Sequence, residues 1–334
     1  MRGKRRNSPE LPDASAGTPE ERRERARQDF TFFRRAYFPH YCLVGGDSRL
    51  HEWLDTELPR MADAPEGVRL AIAAPRGEAK STFVSLFFVL WAVLTGRKHY
   101  ILIIADALEQ AASLLGAVKD ELEFNEALKR DFPGAGKGHV WNVGTVVTPG
   151  NVKIQALGAG KRMRGLRHGP HRPDLIVLDD LENDGNVDKP EQRDKLQSWL
   201  QKTVLNLGAA DGSMDVVYVG TLLHYDSVLA RTLRKPLWKA RTFRSILRWP
   251  DRMDLWDEWE SLLSSRGEAE ARRFYRQHRV KMEAGAEVSW PASRPLYRLM
   301  CLRAEDREAF DSEQQNDPLS ANEAPFNGCI TFWV

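Results

Sequence analysis

Ala74-Pro75-Arg76-Gly77-Glu78-Ala79-Lys80-Ser81-Thr82 lies between two apolar runs. Residues 68–73 before it are short, largely apolar and strand-like; residues 83–94 after it are apolar and helix-like. A strand, a tight loop and a helix opened by Lys-Ser form the setting in which a phosphate-binding loop works. The first N–H groups of a helix have no intrahelical acceptor and favour an anion, so they cradle phosphates. Lys80 is then placed to reach the terminal phosphates, and the Ser81 hydroxyl to hold Mg²⁺.

Both signature glycines of such a loop are alanines here, Ala74 and Ala79. Alanine is expected to cost little as long as φ stays negative, although its methyl crowds the backbone where phosphates sit. By pattern alone the stretch fits nucleotide binding and an ordinary strand–turn–helix equally. A second stretch tips that balance. Asp174-Leu175-Ile176-Val177-Leu178-Asp179-Asp180-Leu181-Glu182 has four consecutive apolar residues, as in a strand buried on both faces. Carboxylates at the carboxyl end of such a strand lie where α/β sheets bind ligands. Asp179 would hold Mg²⁺ through water opposite Ser81, and Asp180 or Glu182 would orient or deprotonate an attacking water. The bland alternative is a solvated acidic turn after a core strand.

The length, 334 residues, allows a large core or two domains, and 42% hydrophobic with 29% charged residues excludes global disorder. A net charge of +2 gives no global electrostatic case for nucleic acid, so such contacts must come from local patches. Cys42, Cys301 and Cys329 show neither metal nor disulfide spacing, and the eight histidines form no cluster, so no zinc site is expected. The longest apolar run, 83–94, is too short to span a bilayer, and the basic N-terminus lacks a signal-peptide core. A soluble, intracellular protein is expected.

Residues 1–29, rich in Arg, Glu, Pro and Ser, read as a flexible arm. Residues 30–250 read as the main domain. Its strand signals at 68–73, 99–105, 174–179 and 215–220 alternate with helical signals at 48–58, 83–94, 108–122 and 196–207, and 145–157 reads as a hairpin. That alternation predicts an α/β fold with a doubly wound, mostly parallel sheet. Residues 251–318 read as a small helical lid or linker, with 255–280 as one charged helix, and 319–334 as a tail.

The segment 158–172 interleaves Lys161, Arg162, Arg164, Arg167 and Arg172 with four glycines just before the acidic strand. An arginine supplied to a transferring phosphoryl group stabilises its charge. The same residues would also grip a DNA backbone, or stand solvated. Thr221 ends the strand at 216–220, where a polar residue can sense a terminal phosphate or simply cap a strand.

In this order the chain resembles the large subunit of tailed-bacteriophage terminases, ATP-driven DNA-packaging motors, over residues 36–326. The loop 75–82 is similar to the family's variant, with an Arg inside the loop and Ala for the second Gly. Residues 166–182 resemble the acidic-strand region, Val219-Gly220-Thr221-Leu222-Leu223-His224 the coupling segment, and Phe310-Asp311-Ser312-Glu313-Gln314-Gln315-Asn316-Asp317-Pro318 the signature that ends the ATPase half. The last is the most specific, because a generic ATPase has no reason to carry it.

The resemblance implies a P-loop NTPase of the ASCE type that binds ATP and Mg²⁺. Arg76, Gly77, Glu78, Ala79, Lys80, Ser81 and Thr82 would contact nucleotide, with Ser81 and Asp179 on the metal. Asp180 stands where the family usually has Glu, one methylene longer, so the catalytic carboxylate is Asp180 or Glu182, with Asp180 favoured by position. Arg164 best matches the arginine that acts on a neighbouring subunit's ATP, with Arg162 and Arg167 as rivals, and Thr221 would couple hydrolysis to lid movement. Implied partners are double-stranded DNA, a procapsid portal protein, a small terminase subunit and further copies of the chain in a ring, in the cytoplasm of a bacterial host. Family members continue into a nuclease domain for which no room is seen before Val334, so no endonuclease activity is expected. The rival readings are a helicase-like DNA-stimulated ATPase and a degenerate P-loop protein that binds without hydrolysing.

Overall fold

Alternating side chains on each central strand divide the molecule into two layers around one sheet. In the computed structural model, which describes residues 17–42 and 45–318, the strands are β1 (Arg69–Ala73), β2 (Tyr100–Ala105), β3 (Val140–Trp141), β4 (Thr145–Val147), β5 (Lys153–Gly158), β6 (Leu175–Asp179), β7 (Asp215–Gly220), β8 (Lys239–Thr242), β9 (Ile246–Arg248) and β10 (Glu287–Val288). Leu70, Ile72, Ile101, Ile103, Leu175, Val177, Val217 and Val219 join one core; Ala71, Ala73, Leu102, Ile104, Ile176, Leu178, Val216 and Tyr218 join the other. A period of two with both faces apolar requires cover on both sides. Helices Phe30–Tyr37, Arg49–Ala62 and Leu108–Phe124 cover the first face, and Pro190–Lys202 and Val228–Leu233 the second.

The eight-stranded sheet has the order β3-β4-β5-β2-β6-β7-β1-β8. Its pairs are parallel except in the β3-β4-β5 meander, whose β4–β5 arm is the hairpin expected at 145–157. The doubly wound α/β fold read from the alternation is thus the observed one. The order itself matters most for the site. β7 lies between β1 and β6, with Ala73 opposite Gly220 and Asp179 opposite Val219. The loop after β1 and the carboxylates after β6 therefore flank the end of β7.

Three boundaries differ from the sequence reading. The expected flexible arm runs to residue 29, but Pro19–Gln28 is an α-helix with a Thr18–Glu21 capping box. It is held to the domain by an ion pair between Arg22 and the fully buried Asp131, and by the Trp91 indole donating to the Ala26 carbonyl. A buried charge pair and a single small apolar residue, Ala26, dock this helix, so its composition looked like that of a solvated tail. Residues 1–16 and the expected tail at 319–334 lie outside the described residues. The helix expected at 83–94 begins with a π-wound stretch, Thr82–Phe88, before α-helix Val89–Leu94. Such wide turns are frequent at functional sites. The single charged helix expected at 255–280 is two, Met253–Arg266 and Glu268–Met282, broken at Gly267, whose φ of 83° suits glycine.

Those two helices, with Leu296–Glu305 and Arg307–Glu313, enclose a core of their own around Trp256, Trp259, Leu299 and Met300. Full burial of each large apolar side chain contributes about 1.5–3 kcal/mol. This helical subdomain meets the main sheet at the segment 313–316. Among the described residues no helix is long and apolar enough to cross a membrane.

Candidate nucleotide-binding site

The loop 74–81 leaves β1 and turns into the helix that starts at Thr82. Its entry is tied to β7, because Ala74 N–H donates to the Gly220 carbonyl at 2.9 Å. Lys80 is buried, and its Nζ lies 3.1 Å from Asp180 Oδ2 and 3.2 Å from Thr221 Oγ1. The loop lysine, the carboxylate after β6 and the hydroxyl after β7 thus meet at one point. They line a cavity of about 200 Å³ together with Arg76, Asp106 and Glu313.

Behind Lys80 the hydroxyls of Ser81 and Ser85, four residues apart on one helical face, both donate to Asp179, at 2.9 Å and 2.5 Å. Burial pushes the Asp179 carboxyl up to about 6, and the neighbouring Asp180 charge adds to the rise. A hydroxyl and a carboxylate 2.9 Å apart are hard oxygen donors of the kind that Mg²⁺ takes from a protein when phosphates and water complete its shell. The residues present fit that ion; Ser81 and Asp179 are the ones that would hold it.

The loop carries backbone strain. Ala79 has a φ of 55°, not the negative value under which alanine is inexpensive. An L-residue there loses about 1–2 kcal/mol relative to the right-handed region. The turn demands this conformation at the position where such loops usually place glycine. Ala79→Gly is therefore expected to stabilise the protein by about 0.5–1 kcal/mol in urea denaturation. Asp180 also sits at a positive φ, 46°. Asp is several-fold enriched in that region, which gives a local reason for Asp rather than Glu at this position.

The loop is braced from behind. The Glu78 side chain is buried and faces away from the cavity, while its carbonyl pairs with His51 Nε2 at 2.8 Å. His51 stacks on Phe83 with centroids 4.2 Å apart. Burial raises the Glu78 carboxyl. Arg294, from the helical subdomain, lies so close over Gly77 that a β-carbon there would sit 1.9 Å from its Nη2. Gly77 has a φ of 81°, so both conformation and space demand glycine. Arg76 Nη1 pairs with Glu313 at 2.5 Å, and Arg76 N–H donates to the Glu313 carbonyl at 2.9 Å.

Glu182 is committed elsewhere. Its carboxylate accepts from Val228 N–H at 2.7 Å, Leu229 N–H at 3.1 Å and the Tyr218 hydroxyl at 3.2 Å. It is thereby a cap for helix Val228–Leu233, and burial raises its carboxyl. Arg162, Arg164 and Arg167 are exposed and do not wall the cavity. Their loop is pinned by the buried Met163 and by the Trp199 indole, which donates to the Lys161 carbonyl.

The segment Glu313-Gln314-Gln315-Asn316 is where the elements join. Asn316 is buried, accepts from Leu222 N–H at 2.9 Å and donates to the Phe243 carbonyl at 2.8 Å. Its φ of 50° is one that asparagine tolerates. Gln314 accepts from Ser245 and from Arg294. Asn316→Ala would leave one buried N–H and one buried carbonyl unpaired, so a loss of about 2–4 kcal/mol is expected in urea denaturation. His51, Asp106, Asn183, Asn186 and Arg294 were not singled out in the sequence, since none belongs to a local motif.

No family model matches this sequence, and no curated protein matches it. The similarity found is to solved structures of a terminase. The ATPase domain of the Thermus phage P74-26 large terminase is 15% identical, with a TM-score of 0.39, over 78% of this chain and 92% of that one. A mutant of the same domain is 14% identical, with a TM-score of 0.38, over 77% of this chain and 90% of that one. At this distance the function has to be read from the side chains of this chain.

Proposed function

We propose that this chain hydrolyses ATP and that hydrolysis drives double-stranded DNA into a viral procapsid, as in the ATPase portion of a terminase large subunit. The observation that carries the hydrolase reading is Lys80 Nζ, held between Asp180 and Thr221 directly in front of the Asp179–Ser81 pair. A triphosphate entering the cavity offers Lys80 a stronger partner than Asp180. Lys80 then neutralises the terminal phosphates, and Asp180, released, faces the water that attacks them. Bound Mg²⁺ would supply further charge neutralisation at the phosphates, held by Ser81 and Asp179. Loss of the Lys80 contact at Thr221 would reach the helical subdomain through Leu222 and Asn316, which supports Thr221 as the coupling residue. Arg76 and the backbone of residues 77–82 complete the phosphate cradle. Arg164, exposed on its loop, would complete the site of a neighbouring copy in a ring on the portal, with a small terminase subunit as a further partner.

The packaging reading is favoured over a generic ATPase by the joint at 313–316, where the signature ties the loop, the end of β7 and the helical subdomain together. Displacement of a third strand from a DNA triplex tests it. A translocase on duplex DNA strips that strand with ATP and leaves a forked duplex paired. Unwinding of the fork would instead establish the helicase-like reading.

A further inference from the structure

The acidic run after β6 leaves the water-activating role underfilled. Of the carboxylates around the cavity, Glu182 caps a helix, Glu313 holds Arg76, and Asp180 holds Lys80. Even when released, Asp180 reaches one methylene less than glutamate would from the same backbone position. A further carboxylate on the cavity wall, Asp106, is arranged differently.

Asp106 directly follows β2, the strand beside β6, and its N–H donates to the Asp180 carbonyl at 3.2 Å. The two acids therefore leave adjacent strand ends and face one cavity. Among the described residues no cation pairs with Asp106. Two neutral amides hold it instead: Asn186 Nδ2 donates to Oδ1 at 2.9 Å, and Asn183 Nδ2 donates to Oδ2. Each amide occupies one lone pair on its oxygen and leaves another open. Neutral donors fix the direction of the carboxylate without cancelling its charge. This is an oriented anion on a rigid strand end, with its remaining acceptor sites open. Asp184 also lines the cavity, but it is exposed, sits in a four-residue helix and, among the described residues, accepts no hydrogen bond from a side chain.

We propose that Asp106 is a second water-orienting carboxylate of the hydrolytic site, acting with Asp180; this rests on the ATPase reading above. Asp106 accepts an O–H of the attacking water. As the water oxygen bonds to the γ-phosphorus, the bond from that phosphorus to the β–γ bridging oxygen breaks. ADP leaves with the electron pair, and the proton released by the water passes to the carboxylate and from there to solvent.

The test uses the full chain, with steady-state Mg·ATP turnover and equilibrium binding of a non-hydrolysable ATP analogue measured side by side. Asp106→Asn is expected to lower kcat about 10–100-fold while KM and analogue affinity stay within about twofold. Asp106→Glu is expected to recover part of that loss. Asn183→Ala with Asn186→Ala, which frees the carboxylate to rotate, is expected to lower kcat by a smaller factor at unchanged affinity. Wild-type turnover that survives Asp106→Asn overturns the role of Asp106 and leaves the ATPase reading standing. So does a variant whose only defects are a lower Tm and weaker analogue binding. Absence of turnover in the wild-type chain overturns both.

Discussion

Lys80→Ala is expected to lower ATP turnover by roughly 10²–10³-fold, the scale on which one charge-stabilising donor at a reacting centre is lost. The side chain is buried, and its ammonium is shared between Asp180 and Thr221. Alanine removes the loop cation that contacts Asp180 directly, and it leaves Asp180 facing the incoming phosphates without that partner. Nucleotide affinity should therefore fall as well, in contrast to Asp106→Asn. Steady-state phosphate release and analogue binding on the same preparation read both effects. Turnover equal to wild type would remove Lys80 from the chemistry.

The second large effect is at Asp179, where stability and function are expected to move in opposite directions. Asp179→Asn should abolish Mg²⁺-dependent turnover, because the carboxylate that would hold the ion with Ser81 is gone. The same change should make the metal-free protein more stable. Burial raises the folded-state carboxyl to about 6 from 3.8, so the folded state keeps a proton that the unfolded chain has already released. The contribution of this group to stability is therefore full below about pH 3.8 and is lost as pH rises through about 6. Above that window the buried charge costs up to about 3 kcal/mol relative to the unfolded chain. Asn keeps the shape, an acceptor for one serine and a donor toward the other, and carries no charge. In urea denaturation with chelator present, the advantage of Asp179→Asn should grow between about pH 4 and pH 6 and then level off. A variant less stable than wild type at pH 8 would show that Ser81, Ser85 and Lys80 compensate the charge fully. A gain in stability with loss of turnover is what a strained functional site produces.

What was legible in the sequence was local. The Lys80 loop, the apolar strand ending in Asp179, the hairpin at 145–157 and the alternation of strands and helices each follow from a few adjacent residues. What was not legible depends on partners far apart in the chain. The amides that hold Asp106 are 77 and 80 residues away, and Asn316 reaches Leu222 over 94. The insertion of β7 between β1 and β6 is likewise a matter of non-local pairing, which no periodicity encodes. Glu182 looked like a spare catalytic acid because capping of Val228 and Leu229, 46 and 47 residues on, leaves no mark beside it. Helix Pro19–Gln28 was read as a tail because Arg22, one of its two buried residues, is charged and pairs with Asp131, 109 residues away. The strain at Ala79 escaped notice because a methyl group does not report the sign of φ.

The central claim is that a loop with alanine at both usual glycine positions still supports hydrolysis and not merely binding. The direct measurement is phosphate release from Mg·ATP by the full wild-type chain in the presence of duplex DNA, beside its affinity for a non-hydrolysable analogue. The account predicts analogue binding together with release sustained over many turnovers and dependent on Mg²⁺. Analogue binding with no release beyond background would contradict it and leave a P-loop protein that grips nucleotide without consuming it.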